Sequence, residues 1–244
     1  MSAERETGAP VDGLSWPPLL PGTLIRRYKR FLADVRMDDG AEVTAHCPNS
    51  GRMTACSEPG RPVWISRQDN PKRKLEYTWE IISMPDSLVG VNTMVPNRLV
   101  ARAIRAGAVE ALAGYEKVCT EVRLATGSRL DLLLTAVGLP DCYVEVKNCT
   151  LVRDGVAMFP DAPTTRGRKH VRELANLVAG GARCVSFHLV QRMDAVRFEP
   201  ARHVDPEYAE GLREAAAAGV EVLAWDTVID LHTIRLGRRL SCEV

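Results

Sequence analysis

From residue 19 to about residue 87 the chain runs as short apolar–polar alternations, each bounded by turn residues. Residues 23–28 and 31–35 are followed by Asp38-Asp39-Gly40, a strong hairpin signal. Residues 42–47 alternate and then meet Pro48-Asn49-Ser50-Gly51, and residues 62–66 and 76–82 supply two further strands. Five short strands in so little chain predict a small barrel or sandwich, and a five-stranded OB-fold barrel fits that size. Past Pro85 the texture is mixed. Leu99, Ala103, Ile104, Ala111 and Leu112 recur at helical spacing until Gly114. Three strand-like runs follow at residues 117–124, 129–134 and 142–150. Residues 165–179 read as a helix stopped by Gly180-Gly181, residues 183–190 as a β-branched strand, residues 206–218 as a helix, and residues 220–225 as a last strand before a basic tail. The order α-β-β-β-α-β-α-β predicts a mixed sheet flanked by helices. The expected organisation is α/β (α+β): a flexible tail over residues 1–17, an OB-fold-like β-barrel over 18–86, and a mixed αβ domain over 87–244.

Composition narrows the classes. The chain has 244 residues with a formal net charge of +1, which excludes a polycation that holds nucleic acid by bulk charge. The first residues carry acids and prolines where a signal peptide needs an apolar run, and no stretch approaches the roughly 18 apolar residues of a membrane span. Seven scattered cysteines in such a chain predict reduced thiols, buried as small hydrophobes, in a cytoplasmic protein.

Charge matters by position. Arg26, Arg27, Lys29, Arg30 and Arg36 stand against one acid, Asp34, and Arg61, Arg67, Lys72, Arg73 and Lys74 against Asp69. Tyr28, Trp64, Tyr77 and Trp79 lie in or beside these runs. A barrel with basic strands and exposed aromatics suits nucleic acid, by phosphate neutralisation and base stacking. The alternative, in which the rings are core and the charges a solvated face, fits the same pattern. A third cluster, Arg166, Arg168, Lys169, His170 and Arg172, opens the second helix behind Thr164 and Thr165, either of which can cap it. Cations there oppose the helix dipole, a conflict that a bound phosphate would resolve.

The sharpest chemistry lies on two strands. Asp131 interrupts an apolar run, and Glu145 and Lys147, two apart, share a strand face while Val144 and Val146 point into the core. If the strands are neighbours, Asp131 sits beside Glu145. Two converging carboxylates with waters suit Mg²⁺ (or Mn²⁺), and a lysine on the same face can orient water or offset developing charge. Glu121 is the candidate third metal ligand, although a surface pairing with Arg123 explains it equally well. A structural Asp–Lys or Glu–Lys pair is the plainer alternative for the whole group.

The chain also resembles the sugar fermentation stimulation protein A family. The resemblance runs from about Leu20 to Trp225. It is carried by Arg27-Tyr28-Lys29-Arg30-Phe31, His46-Cys47-Pro48-Asn49-Ser50-Gly51-Arg52-Met53, Gly90-Val91-Asn92-Thr93 and Pro96-Asn97. Ser128-Arg129-Leu130-Asp131, Glu145-Val146-Lys147-Asn148, Phe159-Pro160-Asp161-Ala162, Arg166-Gly167-Arg168-Lys169-His170 and Gln191-Arg192 continue it. Ser50 stands where the family usually has Thr, and Pro163 where Val is common. The resemblance implies an OB-fold domain followed by a PD-(D/E)XK nuclease-like domain, with Asp131, Glu145 and Lys147 as its catalytic set. It also implies a DNA-binding protein linked to regulation of sugar (maltose) metabolism, and Arg52 joins the candidate nucleic-acid contacts. The expectation is sequence-nonspecific DNA binding, single- or double-stranded, with a Mg²⁺-dependent phosphodiesterase site and room for a homodimer at exposed strand edges. The alternative is an RNA-binding or scaffold protein with a silent nuclease fold.

Overall fold

The computed structural model describes residues 11–70 and 72–244. The N-terminal part is a barrel of β2 (Leu19–Tyr28), β3 (Leu32–Met37), β4 (Glu42–His46), β5 (Pro62–Arg67) and β6 (Tyr77–Met84). It closes where β4 lies parallel to β6, Ala45 against Tyr77 and His46 against Thr78. Alternation builds it: Leu24, Ala33, Val35, Val63, Ile65 and Trp79 point inward and are buried. The Asp38–Gly40 signal is a hairpin turn, with Gly40 at φ +85° and the Asp39 carboxylate accepting from the Ala41 amide at 2.9 Å. At the opposite tip of β2–β3, Lys29 and Arg30 hold φ of +47° and +63°, a left-handed pair that costs non-glycine residues about 1–2 kcal/mol each.

Two expected boundaries shift. Residues 1–10 lie outside the described residues, but Gly13–Ser15 form β1, paired antiparallel with Thr233–Arg235 of the last strand. Trp16 is buried, its indole N–H donating to the backbone of Asp230 and Thr233, so this stretch is anchored rather than a free tail. Asp86 sits in a tight turn between β6 and β7 (Ser87–Gly90), and β7 extends the barrel sheet beyond residue 86.

The second part begins with α1 (Val95–Arg105), shorter than expected because the chain turns at Gly107, φ +74°. After a 3-10 turn at Glu110–Leu112 come β8 (Lys117–Arg123), β9 (Arg129–Thr135), β10 (Cys142–Cys149), β11 (Leu151–Arg153) and β12 (Val156–Phe159). Then follow α2 (Thr165–Ala179), β13 (Arg183–Val190), β14 (Arg197–Pro200), α3 (Pro206–Ala217), β15 (Glu221–Ile229) and β16 (Thr233–Cys242). The sheet order is β11-β12-β14-β16-β15-β13-β10-β9-β8, with β1 added on β16. The expected basic tail is therefore a ten-residue strand, in which Ile234, Leu236 and Leu240 are buried and the arginines between them face outward. One sheet face packs α1, through Leu99, Val100 and Ala103, on Val144, Val146 and Phe187. The other packs α2 and α3, through Val171, Leu174, Tyr208 and Leu212, on Leu130, Cys149 and Val190.

The two parts are clamped by polar contacts from the segment after β13. The Gln191 carbonyl accepts from the Gly90 amide at 3.0 Å, and its side chain donates to Asn92 and Asn148. The Arg192 guanidinium is buried, paired with Asp194 at 2.5 Å, and donates to the carbonyls of Ala55 in the barrel (3.0 Å) and Thr150 after β10 (3.2 Å). Asp161 receives the Met53 amide at 2.9 Å and lies so close to Gly51 that a Cβ there would sit 2.3 Å from its oxygen. Removing one partner of a buried charged network costs about 3–5 kcal/mol. Arg192→Ala is expected to lose stability of that order in chemical denaturation and to separate the unfolding of the two parts. A single unshifted transition would show that the clamp is not what joins them.

Candidate active site and nucleic-acid interface

The β9–β10 ladder runs antiparallel through Leu134–Cys142, Leu133–Tyr143 and Leu132–Val144, and then stops. The next residue on β9 is Asp131, whose Oδ2 accepts from the Val146 amide at 2.8 Å. A side-chain carboxylate thus replaces the backbone acceptor at the point where the strands part, satisfying an N–H that would otherwise be stranded. Oδ1 accepts from the Asn97 amide on α1 at 2.6 Å. Meanwhile β10 continues in parallel register with β13 to Cys149–Val190.

Glu145 and Lys147 share the α2 side of β10, as the strand period predicts, and both are buried. Lys147 Nζ lies 2.7 Å from Glu145 Oε1, the same oxygen that His170 Nδ1 of α2 contacts, and 3.5 Å from that ring nitrogen. Glu145 Oε2 is buried without a hydrogen-bond partner among the described residues. Burial pushes the Glu145 carboxyl up, but the His170 hydrogen bond and the Lys147 charge outweigh it and hold the group below its usual range. Asp131 goes the other way: burial, then the Glu145 charge, push it from 3.8 to about 6. Two carboxyls with pKa values driven apart within one site are a signature of functional chemistry.

Behind this group, His188 on β13 faces Lys147 in register and is held neutral, its pKa lowered to about 3 by burial and then by Lys147. Glu173 on α2 accepts from the Ser128 hydroxyl and from Thr126 at 3.3 Å, tying the start of β9 to the helix that carries His170. Asn97, Ser128 and Glu173 contribute to the site's geometry without having been singled out from residue type. The one signal for Asn97 is an amide in the first turn of an otherwise apolar helix face.

Other candidates lie elsewhere. Glu121 is exposed on β8 at φ +60° and ion-paired with Arg129 at 2.7 Å, so the third carboxylate is not drawn in. Among the described residues no group of three or more His, Cys, Asp or Glu side chains is arranged to hold a metal ion. The protein donors reduce to Asp131 and Glu145. Mg²⁺ is commonly held by one or two carboxylates with waters completing its shell, and the unpartnered Oε2 is an oxygen such an ion would satisfy. His170 belongs to this buried group and not to a phosphate-facing surface.

Thr164 caps α2, accepting from the Gly167 amide at 3.0 Å, and its own amide donates to Asp205. Arg168 is spent on Asp205 (3.4 Å) and Glu207 of the α3 start, leaving Arg166, Lys169 and Arg172 as the exposed cations of the cluster. In the barrel, Arg27 donates to the carbonyls of Asn49 and Gly51 at 2.8 Å and of Arg52 at 3.0 Å, so it shapes the loop instead of offering a free charge. Trp64 is half-buried, with part of its ring packed against the apolar core. Arg26 is exposed, paired with Asp34 at 2.8 Å and stacked over Tyr28. Lys29, Arg30, Arg52, Lys72 and Lys74 are exposed, and Arg73 is half-buried. All seven cysteines are free; five are buried, Cys119 is exposed and Cys242 half-buried. No helix of the described residues is long and apolar enough to cross a membrane.

The raised Asp131 pKa has a definite sign in stability. Between about pH 4 and 6 the folded protein keeps a proton that the unfolded chain releases, so the contribution is full below about 4 and lost as pH rises through about 6. In chelator, the stability of the wild type relative to Asp131→Asn is expected to fall across that window, read from paired melting curves. A pH-independent difference would contradict the burial of Asp131 beside Glu145 that raises its pKa.

Comparison with known proteins agrees with this architecture. Residues 94–233 match the family described as "Sugar fermentation stimulation protein RE domain", and residues 25–91 the "SfsA N-terminal OB domain". A "Sugar fermentation stimulation protein homolog" of Geobacter sulfurreducens is 54% identical over 223 residues, covering 91% of this chain and 95% of its own. One from Paramagnetospirillum magneticum is 50% identical over 227 residues, covering 93% and 96%. Among solved structures, Pyrococcus furiosus SfsA in complex with Ca²⁺ superposes with a TM-score of 0.87 at 28% identity, over 95% of this chain and 98% of that one. With matches over both domains and relatives at this identity, the chain belongs to the sugar fermentation stimulation protein family.

Proposed function

We propose that the protein is a DNA-binding phosphodiesterase that uses a divalent cation, Mg²⁺ or Mn²⁺, held by Asp131 and Glu145. The observation that carries this reading is the pair of carboxylates at the parting of β9 and β10, one with a buried, unpartnered oxygen and the other pushed up to about 6. A family relative of the same fold is reported with Ca²⁺, which shares the preference of Mg²⁺ for oxygen ligands. When bound, such a cation polarises a phosphoryl oxygen and lowers the pKa of a coordinated water. The chain's own groups supply the rest. Asn97 and the Val146 amide fix the Asp131 carboxylate, and His170 fixes Glu145. The Lys147 ammonium stands 2.7 Å from Glu145, available to offset negative charge developing on a phosphate.

Substrate contact falls to the exposed cations: Arg26, Lys29, Arg30 and Arg52 at one end of the barrel, Lys72 and Lys74 on the β5–β6 loop, and Arg166 and Lys169 on α2. Such residues reach phosphates rather than base edges, so the binding is nonspecific and falls with salt. The family resemblance favours DNA and a role in the expression of sugar-metabolism genes. The same reading puts the protein in the cytoplasm, where its free thiols stay reduced.

The test incubates labelled single- and double-stranded DNA and RNA with Mg²⁺, Mn²⁺ or chelator. Cleavage of DNA is expected with metal only. Asp131→Ala, Glu145→Ala and Lys147→Ala should each lower it by about 100-fold or more, and Asn97→Ala by about 10- to 100-fold. Cleavage that persists in the carboxylate variants would remove the site assignment. Metal-independent binding with no cleavage of any substrate would leave a silent nuclease fold.

A further inference from the structure

Between the barrel and α1 lies a cleft of ≈ 620 Å³, within the usual range for a small-molecule site. Its cations come one from each domain: Arg73 on the β5–β6 loop and Arg98 on α1. Among the described residues neither guanidinium has a hydrogen bond or ion pair. Both lie close enough to act on the charge of Glu80, a buried carboxylate held by Ser66 and Asn92 at 2.7 Å each. Two cations against one carboxylate leave the cleft positive.

The floor is polar and incompletely satisfied. Thr78 is 5% exposed, lines the cleft, and its hydroxyl oxygen is buried with no partner. Gln68 donates its amide to Ser66 at 2.9 Å and keeps its carbonyl oxygen for another donor. A wall of Trp16, Val95 and Ile234 is apolar. The ingredients are a fork-shaped cationic pair that matches phosphate, an unpaired hydroxyl within, and an apolar wall for a ring.

We propose that this cleft binds a phosphate-bearing ligand of nucleotide size, its phosphate between Arg73 and Arg98 and its polar groups over Thr78. The source is a free mononucleotide or the phosphorylated end of a strand. The proposal does not rest on the phosphodiesterase reading, because neither Asp131 nor Glu145 lines the cleft.

Isothermal titration calorimetry in chelator tests it with dAMP, inorganic phosphate, and a thymidine octamer with and without a 5′-phosphate. The full chain is compared with Arg73→Ala, Arg98→Ala, Thr78→Val and, as a control on α3 away from the cleft lining, Arg213→Ala, each checked for an intact melting transition. Nucleotide is expected to bind more tightly than phosphate, with each arginine change weakening it about tenfold and Thr78→Val several-fold. Arg213→Ala should leave it within about twofold. Tighter binding of the phosphorylated octamer than of the unphosphorylated one assigns the cleft to a strand end, and dAMP binding without that difference assigns it to a free nucleotide. Binding of none of the probes, binding indifferent to both arginines, or phosphate held as tightly as dAMP would each overturn the proposal.

Discussion

Glu145 sits between β10 and α2 with its side chain almost out of water, and a carboxylate in that position stays ionised only if cations and donors surround it. Lys147 provides one side from the same strand face, and His170 provides the other from a helix. That requirement fixes the docking of α2, whose second turn must bring His170 over β10. It also explains why the helix is pinned at several other points: Glu173 to Ser128, Thr164 to Asp205, and Arg168 to Asp205 and Glu207. The compensation is one-sided, because Oε2 is left over. One oxygen of this buried carboxylate is surrounded and the other is left over, which is the feature on which the proposed cation site rests.

The second dependence is on α1. Asn97 faces the β9–β10 parting and orients Asp131, while the adjacent Arg98 faces the interdomain cleft. One turn of helix therefore touches both the carboxylate pair and the surface shared with the barrel. The barrel is held there by Gln191 and Arg192, which act on backbone groups of both parts. This clamp gives a physical meaning to much of the family resemblance. His46–Met53, Gly90–Thr93 and Gln191-Arg192 look like chemistry in one dimension, and most of what they do in three is join the domains. Gly51 and Gly90 are small because Asp161 and Gln191 press against them.

What could be read from residues alone follows from periodicity. A period of two put Glu145 and Lys147 on one face, and turn chemistry at Asp38–Gly40 gave the hairpin, because both are local. The strand β16 was hidden because Arg235, Arg238 and Arg239 read as a polar tail, and only its pairing with β15 and β1 shows that Ile234, Leu236 and Leu240 are core. Charge runs misled for a different reason. A run records which residues are cationic and not where they point: Arg27 turns to carbonyls about 25 residues away, Arg168 to acids on another helix, and His170 into the core. Trp64 stands among basic neighbours in the sequence, and in the fold part of its ring also packs against the apolar core.

The neutral net charge now has a structural explanation. Many of the acids are committed within the fold: Asp34 to Arg26, Asp194 to Arg192, Asp226 to Arg238, Glu221 to Arg183 and Asp205 to the ends of two helices. Exposed cations gather at the barrel's β2–β3 tip, on the β5–β6 loop and on α2, with others spread over the surface, so charge is positive in patches although the sum is near zero. Patches on both domains can act together only if the domains keep a fixed relation, since two weak surfaces reinforce each other when their spacing is set. The buried Arg192 network sets it, so under the proposed function the affinity for an extended phosphate backbone would depend on an interaction that never touches it.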